Sequence, residues 1–523
     1  MAQEDTGRHA FFVAAGILIS RIVGLIRQRF FSHYFGQLDE ADAFWAAFKV
    51  PNLLQNLFGE GVLSASFIPV YSRLLAQEDE EEASRVAGAV GAILALATSV
   101  VVLVGVLLTP YLIWIIAPGF EGAKRELTIR LVRIFFPGAG LLVFSAWSLG
   151  ILNSHRKFFI SYTAPVVWNV AMIATIWIFH ARDLTTLAIY LAWGSVIGSA
   201  LQFAVQLPTV LSLTRHLRFR LDTQAAHVRE VMRNFAPVFV SRGVVQISAY
   251  VDQMIASSPV LGEGAVTALN NSQSIYTLPV SLFGMAVSAA ELPAMSSALG
   301  TDAEIQVRLR QRLDAGLRQI AFFIVPSAMA FFALGDVIAA ALYEGGKFTH
   351  ANSIYVWGII AGSAVGLLAS TLGRLYASTY YALRDTRTPL RYAVIRVALT
   401  VGLGYLCALP LPRWLGIDPH WGAAGLTASA GVAGWVEFVL LRRSLNRRIG
   451  VTGLPVSFTA RLWFAAAMGA AAAWAVRSPV RAWHPTVAAI PILGTYGTLY
   501  FAATYIMGVD ECARLVRRFR RVR

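Results

Sequence analysis

Apolar runs of membrane-spanning length, separated by short polar connections, are the dominant pattern along this chain. A hydrocarbon core of roughly 30 Å takes about 20 residues of helix to cross. Runs that meet this requirement lie at 9–35, 42–74, 84–117, 124–153, 159–181, 184–213, 228–258 and 264–298. Six more follow at 319–344, 352–383, 388–411, 420–445, 457–477 and 485–508. The expected fold is an all-α integral membrane protein of about fourteen transmembrane helices. An even number of crossings places both termini on one side.

Two connections carry a pattern of their own. In 301–319, Ile305, Leu309, Leu313 and Leu317 recur every fourth residue with arginines between them, which predicts an amphipathic helix on the membrane surface ahead of the ninth span. The acidic stretch QEDEEEASR, 77–85, suits the solvated start of the third helix, where carboxylates meet the positive end of the helix dipole.

A weak internal repeat runs through the spans. Ser20-Arg21 in the first is echoed by Ser241-Arg242 in the seventh, and LFGEGVLSASFIPVYS (57–72) by LFGMAVSAAELPAMS (282–296). Two six-helix halves that start on the same side are the parallel type of transporter repeat, with the binding site expected between them. The expected organisation is an N-terminal lobe at 1–222 and a C-terminal lobe at 223–450 carrying the surface helix 301–318. Two further spans and a basic tail follow at 451–523.

Composition sharpens this picture. Of 523 residues, 57% are hydrophobic and 14% charged, with a mean hydropathy of +0.60, outside the range of soluble globular chains. Lys and Arg number 44 against 29 Asp and Glu, a formal charge of +15. With the N-terminus inside, the connections His155-Arg156-Lys157, Arg215 to Arg220, Arg308 to Arg318, Arg384 to Arg391, Arg442 to Arg448 and the tail Arg514 to Arg523 fall on the cytoplasmic side. The opposite side holds little beyond Lys124, Arg125, Arg182, Lys347, Arg413, Arg477 and Arg481, a bias of roughly fourfold in the direction of the positive-inside rule. Both termini are therefore expected in the cytoplasm. Basic residues scattered over many short loops line no single groove, which excludes nucleic acid as a partner.

Two cysteines, Cys407 and Cys512, build neither a disulfide framework nor a thiolate metal site. The first apolar run carries Arg21, Arg27 and Arg29, which a cleavable signal segment would not tolerate. No GxxxxGK[ST], HExxH or GxSxG motif occurs, and the nine histidines lack ligand spacing. No cofactor, metal or covalent chemistry is expected. The driving energy then comes from a gradient or from the membrane potential, about 2.3 kcal/mol per charge per 100 mV.

Charges inside the spans are the candidate site, because each costs at least about 2.5–3.5 kcal/mol at the bilayer centre. Arg21 and Arg27 lie in the first span, and Asp42, Lys49 and Glu60 in the second. Arginines beside a wet cavity would fork onto phosphate oxygens, with Lys49 and Asn52 counted as substrate-binding alongside them. Asp42 and Glu60 would gate or pair with those charges; the competing reading is a set of ion pairs that clamps the first helix to the second. Pro51, Gly59 and Gly61 mark a hinge in PNLLQNLFGEG. In the second half Arg242 is a further substrate-binding candidate, Asp252 a charge-pairing or cation site, and Glu291 lies in the eighth span. Arg374 and Arg396 read as snorkelling side chains.

Taken together, SRIVGLIRQ, ADAFWAAFKVPNLLQNLFGEGVLSASFIPVYS, GILNSHRKFFISYTAPVVWN, LPVSLFGMAVSAAELPAMS and YALRDTRTP resemble the MurJ/MviN family, bacterial lipid II flippases of the MOP exporter superfamily. The similarity runs from about residue 10 to about 450. It implies two six-helix lobes, two C-terminal helices forming a groove for the polyprenyl tail, and alternating access that moves lipid II from the inner to the outer leaflet of the bacterial inner membrane. The family's first-span arginines match Arg21 and Arg27, its second-span Asp and Lys match Asp42 and Lys49, and its glutamate matches Glu60. Two positions depart: Gln55 or Asn56 stands where many members have arginine, and SQSIYTLP replaces ADRLMELP, putting Ser274 at an expected arginine. The implied partners are a lipid-linked anionic precursor, membrane lipids and cell-wall synthesis enzymes. The rival readings are a cation-coupled exporter of another lipid-linked or small organic substrate and a membrane scaffold that transports nothing.

Overall fold

The computed structural model describes residues 2–288, 291, 295, 302–383 and 385–520. The side chains of 2–15, 17, 60, 240–242, 244–245, 247–248, 302–303, 516 and 518–520 lie outside the description, so Glu60 and Arg242 are not placed. Among the described residues every extended element is a helix and none is a strand. By contacts the chain divides into two compact units, Met1–Pro259 and Val260–Arg523.

Among the described residues the first unit holds ten helices. These are α1 (Ala2–Phe35), α2 (Asp39–Phe58), α3 (Glu60–Ser66), α4 (Ile68–Ala76), α5 (Glu80–Leu107), α6 (Thr109–Ile116), α7 (Gly122–Ser154), α8 (Phe158–Phe179), α9 (Leu184–Leu213) and α10 (Ala226–Ala256). α7 is the central pillar, packed against α2, α5 and α9, while α8 joins α9 to α1. Its Trp147 is fully buried and donates its indole N–H to the Ala87 carbonyl of α5 at 3.1 Å, satisfying the one polar atom of a large apolar side chain. α10, which the sequence reading places at the head of the second half, packs here against α2 and α3, with Phe239 ring-to-ring on Phe58 at 5.3 Å.

The second unit contains α11 (Ala265–Pro279), a π-helical turn at Val280–Met285, α12 (Asp302–Tyr343), α13 (His350–Ala382), α14 (Arg387–Ala408), α15 (Pro410–Trp414), α16 (Gly422–Ile449), α17 (Val456–Val480), α18 (Pro485–Ile506) and α19 (Asp510–Arg520). α13 and α16 approach at backbone distance. A Cβ on Gly362 would stand 2.4 Å from the Ala424 carbonyl oxygen, and one on Gly366 2.3 Å from the Gly431 Cα. Without a hydrophobic drive between helices in lipid, such small-residue contacts supply van der Waals attachment. The α17–α18 pair closes on α12 through Tyr496 and Tyr500, which donate to the Pro326 and Phe322 carbonyls at 2.5 and 2.6 Å.

Among the described residues ten helices are long and apolar enough to cross a membrane: α5, α7, α8, α9, α12, α13, α14 extended through α15, α16 with its preceding turn, α17 and α18. The remaining four expected spans, the first, second, seventh and eighth, are represented by α1, α2–α4, α10 and α11 with its π turn. They are the first two spans of each half and carry the charges or breaks that set them apart from plain lipid-soluble helices.

Three expectations change. The run 42–74 is broken at Gly59 (φ −89°, ψ −152°), while α3 passes into α4 through Phe67, whose backbone is helical and whose N–H bonds the Leu63 carbonyl at 2.9 Å. α2 continues through Pro51, so the interruption belongs to Gly59; a Cβ there would lie 2.1 Å from the Gln55 carbonyl oxygen. The amphipathic segment is no separate surface helix either. It is the opening of the 42-residue α12, whose Leu309, Leu313 and Leu317 are buried within the unit. There Asp314 accepts the Gly453 N–H at 3.0 Å, tying the segment to the loop before α17. The acidic start of α5 is as expected, with Asp79 accepting from the Glu82 N–H at 3.0 Å and Glu80 to Glu82 in the first turn.

Candidate functional site

The charged residues singled out in the first two spans fall on α1 and α2 of the first unit, and the structure gives each a distinct surrounding. Arg27, half-buried on α1, is bracketed by two indoles: its guanidinium carbon stands 4.8 Å from the Trp168 ring centre and 5.9 Å from that of Trp45. The Met172 sulfur lies 4.0 Å from Nη1. A cation–π bracket fixes the orientation of a charge and does not cancel it. The bracket is built from three helices, because Trp45 comes from α2 and Trp168 and Met172 from α8. It rests on a tight aromatic cluster in which Phe31 meets Phe44 at 5.1 Å and Phe44 meets Phe135 at 5.2 Å.

Arg21 is exposed. Six residues before Arg27, it sits about 9 Å nearer the start of α1 and about 120° round it. The two guanidiniums are not brought onto one face.

Asp42 is almost wholly buried, 1% exposed, and accepts from Lys124 Nζ at 2.9 Å. Lys124, in the first turn of α7, also reaches Asp39 at 2.7 Å and stands 4.4 Å over the Phe120 ring. Lys49 donates to the Ala249 carbonyl at 2.7 Å, and the Tyr250 hydroxyl returns a bond to the Lys49 carbonyl at 2.9 Å. This reciprocal pair fastens the middle of α2 to α10. Asp252, read above as a charge-pairing or cation site, lies within electrostatic reach of Lys49. Asn52 and Gln55 are half-buried further along α2, and Gly61 lies in α3 just past the break.

In the second unit Ser274 is half-buried and donates to the Asn270 carbonyl of its own helix at 3.0 Å. It adds no charge where the family pattern has arginine. Arg374 of α13 lies within electrostatic reach of Arg396, Glu437 and Tyr276, and Arg396 pairs with Glu437 at 3.1 Å. Two guanidiniums against one carboxylate leave this cluster positive, inside helices the sequence reading credited with snorkelling.

Lys124, Trp45 and Trp168 are the residues that sequence reasoning passed over. The two tryptophans stand in the quoted motif blocks, as ADAFW and PVVWN, but an aromatic ring in a membrane span carries no signal of its partner. A group at the other end of the unit was likewise unforeseen. Arg73 of α4 forks onto Glu230 of α10 at 3.1 and 2.6 Å, Arg85 pairs with Asp222 at 2.8 Å, and Tyr71 shares a 3.0 Å bond with His155. The Arg85 bond and two backbone N–H donors hold the Asp222 carboxyl below the usual carboxylate range, while burial pushes the His155 imidazole down. No group of three or more metal-ligating side chains occurs among the described residues.

The fold is shared with solved transporters. A lipid II flippase MurJ in an inward closed conformation superposes with a TM-score of 0.78 over 96% of this chain and 99% of that one, at 22% identity. An inward-facing MATE multidrug resistance transporter of the MOP superfamily gives 0.67 over 82% and 95%, at 18% identity. In sequence the chain is 32% identical over 446 residues to a probable lipid II flippase MurJ of Rhizobium tropici, covering 83% of this chain and 80% of that one. It is 31% identical to the lipid II flippase MurJ of Burkholderia cenocepacia, covering 83% of each. The family model described as lipid II flippase MurJ matches residues 31–493, and this multi-pass membrane protein belongs to the MurJ family.

Proposed function

We propose that this protein translocates lipid II, the undecaprenyl-pyrophosphate-linked peptidoglycan precursor, from the inner to the outer leaflet of a bacterial inner membrane by alternating access. It crosses the membrane fourteen times with both termini in the cytoplasm, and it performs no covalent chemistry. Family membership over most of the chain supports this reading. The observation that carries it at the residue level is Arg27, a guanidinium held in fixed orientation by Trp45 and Trp168.

In this reading Arg27 engages the pyrophosphate, for which a planar fork of donors is suited. Arg21, exposed and nearer the start of the helix, meets the same anion at a different stage of its passage. Asp42 with Lys124, and Lys49 with the Ala249 carbonyl and the Tyr250 hydroxyl, are contacts that must part for α2 to move, and Gly59 is the point about which it bends. The cargo's negative charge and the membrane potential supply the drive.

The test is complementation of a strain depleted of its own precursor flippase. The intact gene restores growth and wall synthesis, and Arg27→Ala, inserted at normal levels, does not. If the intact gene fails while expressed and inserted, the cargo is a different molecule; if Arg21→Ala and Arg27→Ala are both silent, the chain acts as a scaffold.

A further inference from the structure

We propose that the outward face of α7 is a binding site for the headgroup of an anionic phospholipid, built from Arg130 and Arg133 with Trp193 of α9. An open cavity of about 510 Å³ lies there, lined by these three residues and by Glu126, Ile129 and Ile134.

The other faces of α7 determine which way this one points. Phe135 packs on Phe44 and Phe48 of α2, Phe136 lies under Gly105 of α5, and Gly138 meets Val196 of α9. At 100° per residue, Glu126, Arg130 and Arg133 fall on the remaining face, opposite α2. All three are exposed. The surface on either side is apolar: Val100, Leu103 and Leu107 of α5 and Ile197, Leu201 and Val205 of α9 are each between 45% and 65% exposed. Such a surface is one that acyl chains cover.

Two guanidiniums in this setting require an anion. Among the described residues neither forms an ion pair or side-chain hydrogen bond, and the single Glu126 carboxylate a turn away leaves the group at net positive charge. Arg130 and Arg133 lie about 12 and 16 Å along α7 from its first residue, and Trp193 about 14 Å along α9, which starts at the same end. That depth is where phosphodiesters and amphipathic indole rings reside. Two arginines one turn apart present parallel forks to one phosphate, while Ile129 and Ile134 line the cavity for the carbon skeleton below it. With the orientation proposed above, the site serves the outer leaflet.

The full chain is reconstituted in phosphatidylcholine nanodiscs with and without phosphatidylglycerol, and retained lipids are counted by native mass spectrometry beside Arg130→Gln, Arg133→Gln and Glu126→Gln. Phosphatidylglycerol is held in preference to phosphatidylcholine, inorganic phosphate does not displace it, and either arginine variant weakens its retention about tenfold. Glu126→Gln strengthens it by removing a competing charge, a response that damage to the fold would not produce. Unchanged retention in both arginine variants overturns the proposal. So does a copurifying protein that is lost with Arg130→Gln, since the face would then receive a partner helix.

Discussion

Lys124 and Asp42 stand 82 residues apart in sequence and 2.9 Å apart in space, and this pair shows where cost-based reading succeeds and stops. The expense of charge in lipid directed attention to Asp42, Lys49 and Arg27 without any structure. It did not name their partners, because Lys124 reads as one more loop cation and the Lys49 ammonium donates to a backbone carbonyl, an atom that every residue possesses. Lys124→Met removes the ammonium that faces a carboxylate 1% exposed and should cost about 2–4 kcal/mol. Adding Asp42→Asn removes the facing negative charge and recovers most of that loss. Thermal unfolding of the two single variants and the double in detergent measures the coupling; additive losses would show that the two charges are energetically independent. The positions of Glu60 and Arg242, equally visible by cost, lie outside the described side chains.

Among the elements, apolar run length marked the ten described helices that are long and apolar enough to cross a membrane, and the other four expected runs fall on helices that carry charges or breaks. One of their breaks, at Gly59, lies in the stretch marked above as a hinge by Pro51, Gly59 and Gly61, whereas the π turn at Val280–Met285 had no signal in the sequence. Pro51 is the conspicuous helix-breaker in PNLLQNLFGEG, yet α2 passes through it, since a proline costs one backbone bond that neighbouring groups can make good in a membrane bundle. Gly59 is the effective break because the Gln55 carbonyl occupies the space a side chain would need. The amphipathic period of 301–318 was legible as helix, but what its apolar face meets was not, because leucines every fourth residue pack equally well on lipid or on protein; here Leu309, Leu313 and Leu317 are buried. Packing by small residues makes a sharper forecast. Gly366→Ala drives a methyl into the Gly431 backbone and should lower stability by about 1–3 kcal/mol, whereas Gly402→Ala, with nothing within 4 Å, should be neutral or stabilising. Melting temperatures of the two variants decide it; equal values would mean that α13 and α16 separate freely.

At the scale of the whole molecule, the distribution of Lys and Arg over alternate connections carries the topology and is legible without any fold. A fluorescent protein fused after Arg523 should therefore fold and fluoresce, and alkaline phosphatase at the same place should be inactive. The opposite pair of results would invert the orientation and move the lipid site to the inner leaflet. The repeat carries a different kind of information. LFGEGV at 57–62 and LFGMAV at 282–287 interrupt regular α-helix at matching places, the first with a clean break at Gly59 and the second with a π turn spanning Gly284. One glycine too few separates them, since Ala286 stands where the first copy has Gly61. Extended backbone at Gly59 parts the helix, while a π turn keeps the chain wound through the irregularity. The tandem copies thus depart from a regular helix by different means, and the full break sits in the copy that holds Arg27.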